Sequence, residues 1–85
     1  MKPKLHKLKL SSEYFRDVRS GLKTFEVRKN DRSYKLGDLL LLREYNPTTE
    51  EFTGEAVLKR VSYMLSDPVY VKEGYVILGL DSNRR

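Results

Sequence analysis

The apolar and polar positions of this chain change period several times within its 85 residues. Leu5-His6-Lys7-Leu8-Lys9-Leu10 alternates imperfectly, as a half-buried strand does, with Leu8 and Leu10 turned inward beside His6. From residue 12 the period lengthens. Tyr14, Phe15 and Val18 form one apolar face, Ser12 suits an N-cap, and Glu13 and Asp17 suit the early turns with Arg19 in the last. Gly21 suits the left-handed position that ends a helix. The pattern predicts a helix over 13–20, too short to hold without docking on something larger.

Alternation returns over residues 23–29. It places Phe25 and Val27 on one face, expected to be the core, and Thr24, Glu26 and Arg28 on the other. Asn30-Asp31 and Gly37-Asp38 carry turn chemistry. Leu39-Leu40-Leu41-Leu42 with Arg43-Glu44-Tyr45 predicts a strand covered on both faces at its start. Residues 46–49 form a loop. Residues 52–65 make a long strand, broken or bulged near Gly54. After a loop at Asp67-Pro68, Gly74 precedes a last apolar strand over 75–80 and a polar tail over 81–85. With no repeat or linker, the whole of 1–85 reads as one domain, mostly β with one short helix. A small, strongly curved sheet or barrel is the economical way to bury such a set with a single helix.

Composition narrows the chemistry. The chain has no cysteine, so thiol and disulfide chemistry are excluded, and one histidine, which disfavours a zinc or haem site. No apolar run reaches the ~18 residues of a membrane span, and the N-terminus lacks a signal-peptide core, so a cytoplasmic protein is expected. The net charge of +5 is concentrated at the ends. Without Lys2, Lys4, Lys7, Lys9, Arg84 and Arg85, eleven basic residues face twelve acidic ones. Within the body, residues 19–43 are basic and 44–58 acidic. A basic segment attracts phosphates.

Nucleophilic triads, phosphate loops and cofactor motifs have no counterpart in the chain, and His6 reads as a packed or surface residue. Attention falls on Gly21-Leu22-Lys23-Thr24-Phe25-Glu26-Val27-Arg28 and the Lys29-Asn30-Asp31-Arg32 that follows. Glu26 and Arg28 share a face about 7 Å apart, close enough to meet one ligand. Lys23 lies beside the Gly21 turn, where it can curl back toward Glu26. Two readings stay open on the residues alone: a solvated ion-pair ladder, or a site in which Lys23, Glu26 and Arg28 converge. Several of the six tyrosines adjoin basic or turn residues, and of these Tyr34 and Tyr45 are the candidates for base stacking.

These residues resemble the activating-signal-cointegrator homology (ASCH) family, and within it short bacterial and phage members of unknown function. The likeness rests on Gly21-x-Lys23-x-x-Glu26-x-Arg28, supported by Asn30-Asp31-Arg32, Leu36-Gly37-Asp38 and Phe52-Thr53-Gly54. It implies a PUA-like β-barrel with RNA or a modified nucleoside bound in a cleft beside the motif, and Lys23, Glu26, Arg28, Lys29, Arg32 and Tyr34 are the residues expected to make that contact. It implies no metal or cofactor. Some family members remove an acyl group from N4-acetylcytidine with a lysine matching Lys23, a threonine three residues on, and a late glutamate. Here Glu26 stands at the threonine position, and Glu55 and Glu73 are the candidate late glutamates. If this chain is an enzyme, Lys23 and Glu26 are its implied catalytic pair. The third reading is a protein-interaction module that uses the basic and acidic segments as opposite ends.

Overall fold

In the computed structural model, which describes residues 2–82, five strands and one helix follow one another as β1 (Leu5–Ser11), α1 (Ser12–Ser20), β2 (Phe25–Lys29), β3 (Leu39–Asn46), β4 (Glu51–Leu65) and β5 (Tyr75–Ser82). The strands form one sheet in the order β1-β3-β4-β5-β2. Only the β1–β3 pair is parallel, and the sheet curls into a half-barrel. The expected mostly-β fold with one short helix is what the chain adopts.

The concave face holds the core. His6, Leu8 and Leu10 of β1 turn inward, as their alternation predicts, to meet Leu40 and Leu42 of β3, Val61 of β4 and Val76, Leu78 and Leu80 of β5. Phe15 and Val18 close this core from α1, a nine-residue helix too short to hold without such docking. The cap differs by one position from the expected Ser12. The Ser11 hydroxyl accepts from the Glu13 amide, while Ser12 donates to the Tyr45 carbonyl. Gly21 ends the helix with φ 89°, and its N–H bonds the Val18 carbonyl.

Two irregularities bend β4. Its pairing with β3 slips between Arg43 and Tyr45, which spans the expected break at Gly54, and its pairing with β5 slips between Val61 and Tyr63. A buried carboxylate fixes the starts of β1 and β3. Asp38 accepts from the Lys4 amide at 3.0 Å, from the Lys35 amide at 3.1 Å and from His6 Nε2 at 2.8 Å. Since an ionised carboxylate only accepts, the His6 Nε2 carries the proton of that bond. His6 is thus a packed residue, its ring 4.8 Å from that of Tyr34.

The sheet does not close. β1 and β2 are both edges, each leaving alternate backbone groups unpaired. Leu39 N–H bonds Lys4 C=O, so the even-numbered residues of β1 serve β3, and Lys7 and Lys9 point to the free side. On β2, Leu80 N–H bonds Thr24 C=O and Asn30 N–H bonds Gly74 C=O, which leaves Phe25, Val27 and Lys29 on the free side. Side chains reach these free carbonyls. Arg28 donates to the Lys9 carbonyl, Arg32 to the Lys7 carbonyl at 3.3 Å, and Lys23 to the Phe25 carbonyl at 2.8 Å. The two edges therefore face each other across a seam spanned by arginines rather than by backbone pairing.

Candidate functional site

β2 presents its faces the other way round from the expectation. Phe25 and Val27 lie on the convex face, 43% and 52% exposed, while Glu26 is 4% exposed and shares the core face with Leu78 and Val76. The reason is electrostatic. Glu26 Oε2 accepts from Lys23 Nζ at 3.1 Å and Oε1 from Arg28 Nε at 3.1 Å, so both carboxylate oxygens keep a charged donor on burial. The outward Phe25 and Val27 lie in register with Gly79 and Ile77 of β5, and through them with Tyr63 and Leu65 of β4. They complete an apolar band there without entering the core.

Lys23, Glu26 and Arg28 do meet, as one reading of the sequence anticipated, but as a closed set. The Lys23 ammonium lies over the rings of Phe25 (4.6 Å) and Tyr14 (5.2 Å) while donating to Glu26 and to the Phe25 carbonyl. Two of its three N–H donors and much of its charge are thereby taken up by groups of this chain. Arg28 differs, because its guanidinium bonds Glu26 on the concave side and reaches through the seam to the outer edge of β1.

There Arg28 joins Arg32 and Arg43 of the basic segment and also Lys7 and Lys9, which the sequence counts among its end charges. A hollow of about 350 Å³ is lined by Lys7, Leu8, Lys9, Arg28, Arg32, Arg43 and Phe52. Parallel pairing puts Lys9 beside Arg43, and β3–β4 pairing puts Tyr45 beside Phe52. The Arg43 guanidinium stacks on Phe52 at 3.9 Å, Lys9 Nζ lies over Tyr45 at 4.2 Å, and the two rings meet edge to face at 5.1 Å. An adjoining hollow of about 280 Å³ is shared by Leu8, Arg28, Lys29, Asp31, Arg32 and Tyr34. Among the described residues, Lys7, Lys9, Arg32 and Arg43 form no ion pair.

The remaining sequence candidates separate. Tyr34 is 5% exposed and packed on His6, so its ring is part of the core and no open platform for a base. Burial pushes its phenol up, against the pull of Arg28 and Arg32. Tyr45 is the tyrosine that stands at the basic surface. Glu55 pairs with Arg19 at 2.9 Å on the exposed surface, and Glu73 is exposed in the turn before β5, so neither lines the seam. Phe52, from the acidic segment, lines the basic hollow, whereas Glu44, Glu50, Glu51 and Glu55 do not.

Residues 5–80 match the family described as "Domain of unknown function (DUF3850)". The chain belongs to this family. It is 41% identical over 80 residues to the "Uncharacterized 12.9 kDa protein in GpA 3'region" of Escherichia phage P2, an overlap covering 92% of this chain and 69% of the phage protein. In this DUF3850 domain the matched span contains the Lys23–Glu26–Arg28 set, every residue lining the basic hollow, and all five strands but for the last two residues of β5. Among the described residues, no helix is long and apolar enough to cross a membrane, and no group of three or more His, Asp or Glu side chains is placed to hold a metal ion.

Proposed function

We propose that this domain binds RNA or a modified nucleobase at the seam between β1 and β2. The observation that carries the reading is the convergence of Lys7, Lys9, Arg28, Arg32 and Arg43 on one hollow edged by an aromatic side chain. Clustered cations attract a phosphate backbone through Coulomb force and counterion release, and stacked aromatic and guanidinium planes accept unpaired bases. The ASCH-like Gly21-x-Lys23-x-x-Glu26-x-Arg28 signature supports the same reading, with its parts redistributed. Arg28 and Arg32 face the ligand. Lys23 and Glu26 hold Arg28 in place from within.

Acyl removal from N4-acetylcytidine has less in its favour. It needs Lys23 and Glu26 at the substrate, yet the Lys23 ammonium already donates to Glu26 and to the Phe25 carbonyl, and neither residue lines the hollows of the seam.

The test is fluorescence anisotropy with a short single-stranded RNA at low and moderate salt. Wild-type protein is expected to bind at low salt and weaken as salt rises, and Lys9→Ala with Arg43→Ala to bind more weakly. No binding at low salt, or equal binding by that variant, overturns the reading.

A further inference from the structure

We propose that the seam hollow holds a terminal phosphate of a single-stranded nucleic acid, with the end base beside Tyr45 and Phe52. This rests on the reading of the seam as a nucleic-acid site and adds which part of the strand it takes.

Charge favours the end of a strand over its middle. Five cationic side chains line the hollow and no carboxylate does. Of the five, Arg28 alone has an acidic partner among the described residues, and that partner, Glu26, is shared with Lys23. A mid-strand phosphodiester brings one negative charge. A terminal phosphate monoester carries about −1.5 to −2 near neutral pH and offers three acceptor oxygens. The concentrated charge matches the second better. The space of about 350 Å³ equals that of about twelve water molecules, enough for a phosphate or a short chain of phosphates.

Geometry supports the same end of the strand. Arg28 and Arg32 are each anchored by one N–H on a carbonyl of β1, and each guanidinium has five N–H donors. The anchored forks keep further donors for an anion and lose little freedom in binding it. The Arg43 guanidinium carbon lies over Phe52, and Lys9 over Tyr45, so the aromatic pair adjoins the cations on the same surface. A terminal nucleotide has one base face without a stacking neighbour. It can lay that face on the ring and guanidinium stack while its phosphate enters the hollow.

The experiment compares single-stranded RNAs of one sequence, about eight nucleotides long, ending in 5′-hydroxyl, 5′-monophosphate, 5′-triphosphate or 3′-phosphate. Each is measured by anisotropy at moderate salt, with the dye on the end away from the varied group. A terminal phosphate is expected to tighten binding about tenfold over the hydroxyl end, the scale of one added charge-assisted hydrogen bond. The 5′ and 3′ arms tell which end is held. The gain is expected to vanish in Arg43→Ala and Lys9→Ala, both exposed positions, with unchanged thermal unfolding, and to survive in Lys72→Ala, an exposed position that lines neither hollow. Hydroxyl- and phosphate-ended strands binding within twofold of each other would overturn this inference and leave the nucleic-acid reading standing. A free nucleoside triphosphate that competes as well as the phosphorylated strand would also overturn it. No binding of any strand at low salt removes both.

Discussion

Glu26 is buried with a charged donor on each oxygen, and this sets the cost of losing it. Breaking a fully buried pair costs ~3–5 kcal/mol. Lys23 and Arg28 keep 19% and 21% of their side chains in water, so about 2–3 kcal/mol is expected for Glu26→Ala. Thermal unfolding should show this as a fall in Tm of more than about 8 °C, since ~1 kcal/mol moves a domain of this size by ~4–8 °C. A fall under about 2 °C would mean that the carboxylate is dispensable. Asp38 makes a separate prediction. Burial alone would raise its carboxyl, but hydrogen bonds from His6 and from the Lys4 and Lys35 amides outweigh it and hold it below the usual carboxylate range. A group lowered on folding stabilises the native state above its unfolded pKa, near 4, and loses that contribution as pH falls through its lower folded value. Urea unfolding should therefore show stability declining below about pH 4, with a shallower decline in Asp38→Asn. The spacing of Lys23, Glu26 and Arg28 was legible in the sequence, since period two puts 26 and 28 on one face. Which face is core was not legible. Alternation gives relative orientation only, and a carboxylate with two cations competes with Phe25 and Val27 for the concave side.

At the scale of elements, turn and cap chemistry is the most direct route from residue to structure. Gly21 has φ 89°, and a Cβ built there would meet nothing within 4 Å. Gly21→Ala therefore tests backbone strain without steric crowding. The expected cost is ~1–2 kcal/mol, seen as a Tm lower by roughly 5–15 °C with the native circular dichroism spectrum retained below the transition. An unchanged Tm would show that the left-handed cap contributes nothing. The strands were legible for a similar reason: runs such as Leu39–Leu42 and Tyr75–Leu80 are bounded by Gly37-Asp38, Gly74 and their turns. The exchange of Ser12 for Ser11 as cap was not, because both serines can cap. What separates them is tertiary, as Ser12 finds the Tyr45 carbonyl on β3. Barrel closure was likewise beyond the pattern. It depends on whether β1 and β2 approach within backbone reach, and here arginine side chains span the distance instead.

At the scale of the whole molecule, the basic hollow is a product of topology. Lys7 and Lys9 looked like end charges, and Arg43 like the last of a basic segment. Parallel β1–β3 pairing sets Lys9 against Arg43, and the open seam lets Arg28 and Arg32 reach the same edge. No local pattern encodes that register, so this part of the site could not be read before the strand order was known. The domain's convex apolar band and its internal ion set stabilise or position, whereas the seam is where unpaired cations meet solvent. Phosphate binding at the seam is therefore the central claim, and its salt dependence is the most direct test. Single-strand binding falls with a log–log slope of about −0.7 per neutralised phosphate. Measured by anisotropy from low to moderate salt, Lys9→Ala with Arg43→Ala should bind more weakly than wild type. Its slope should also be shallower by about 0.7 for each phosphate that the variant no longer neutralises. A wild-type affinity indifferent to salt, or a variant that keeps both the affinity and the slope of the wild type, would contradict phosphate binding at the seam.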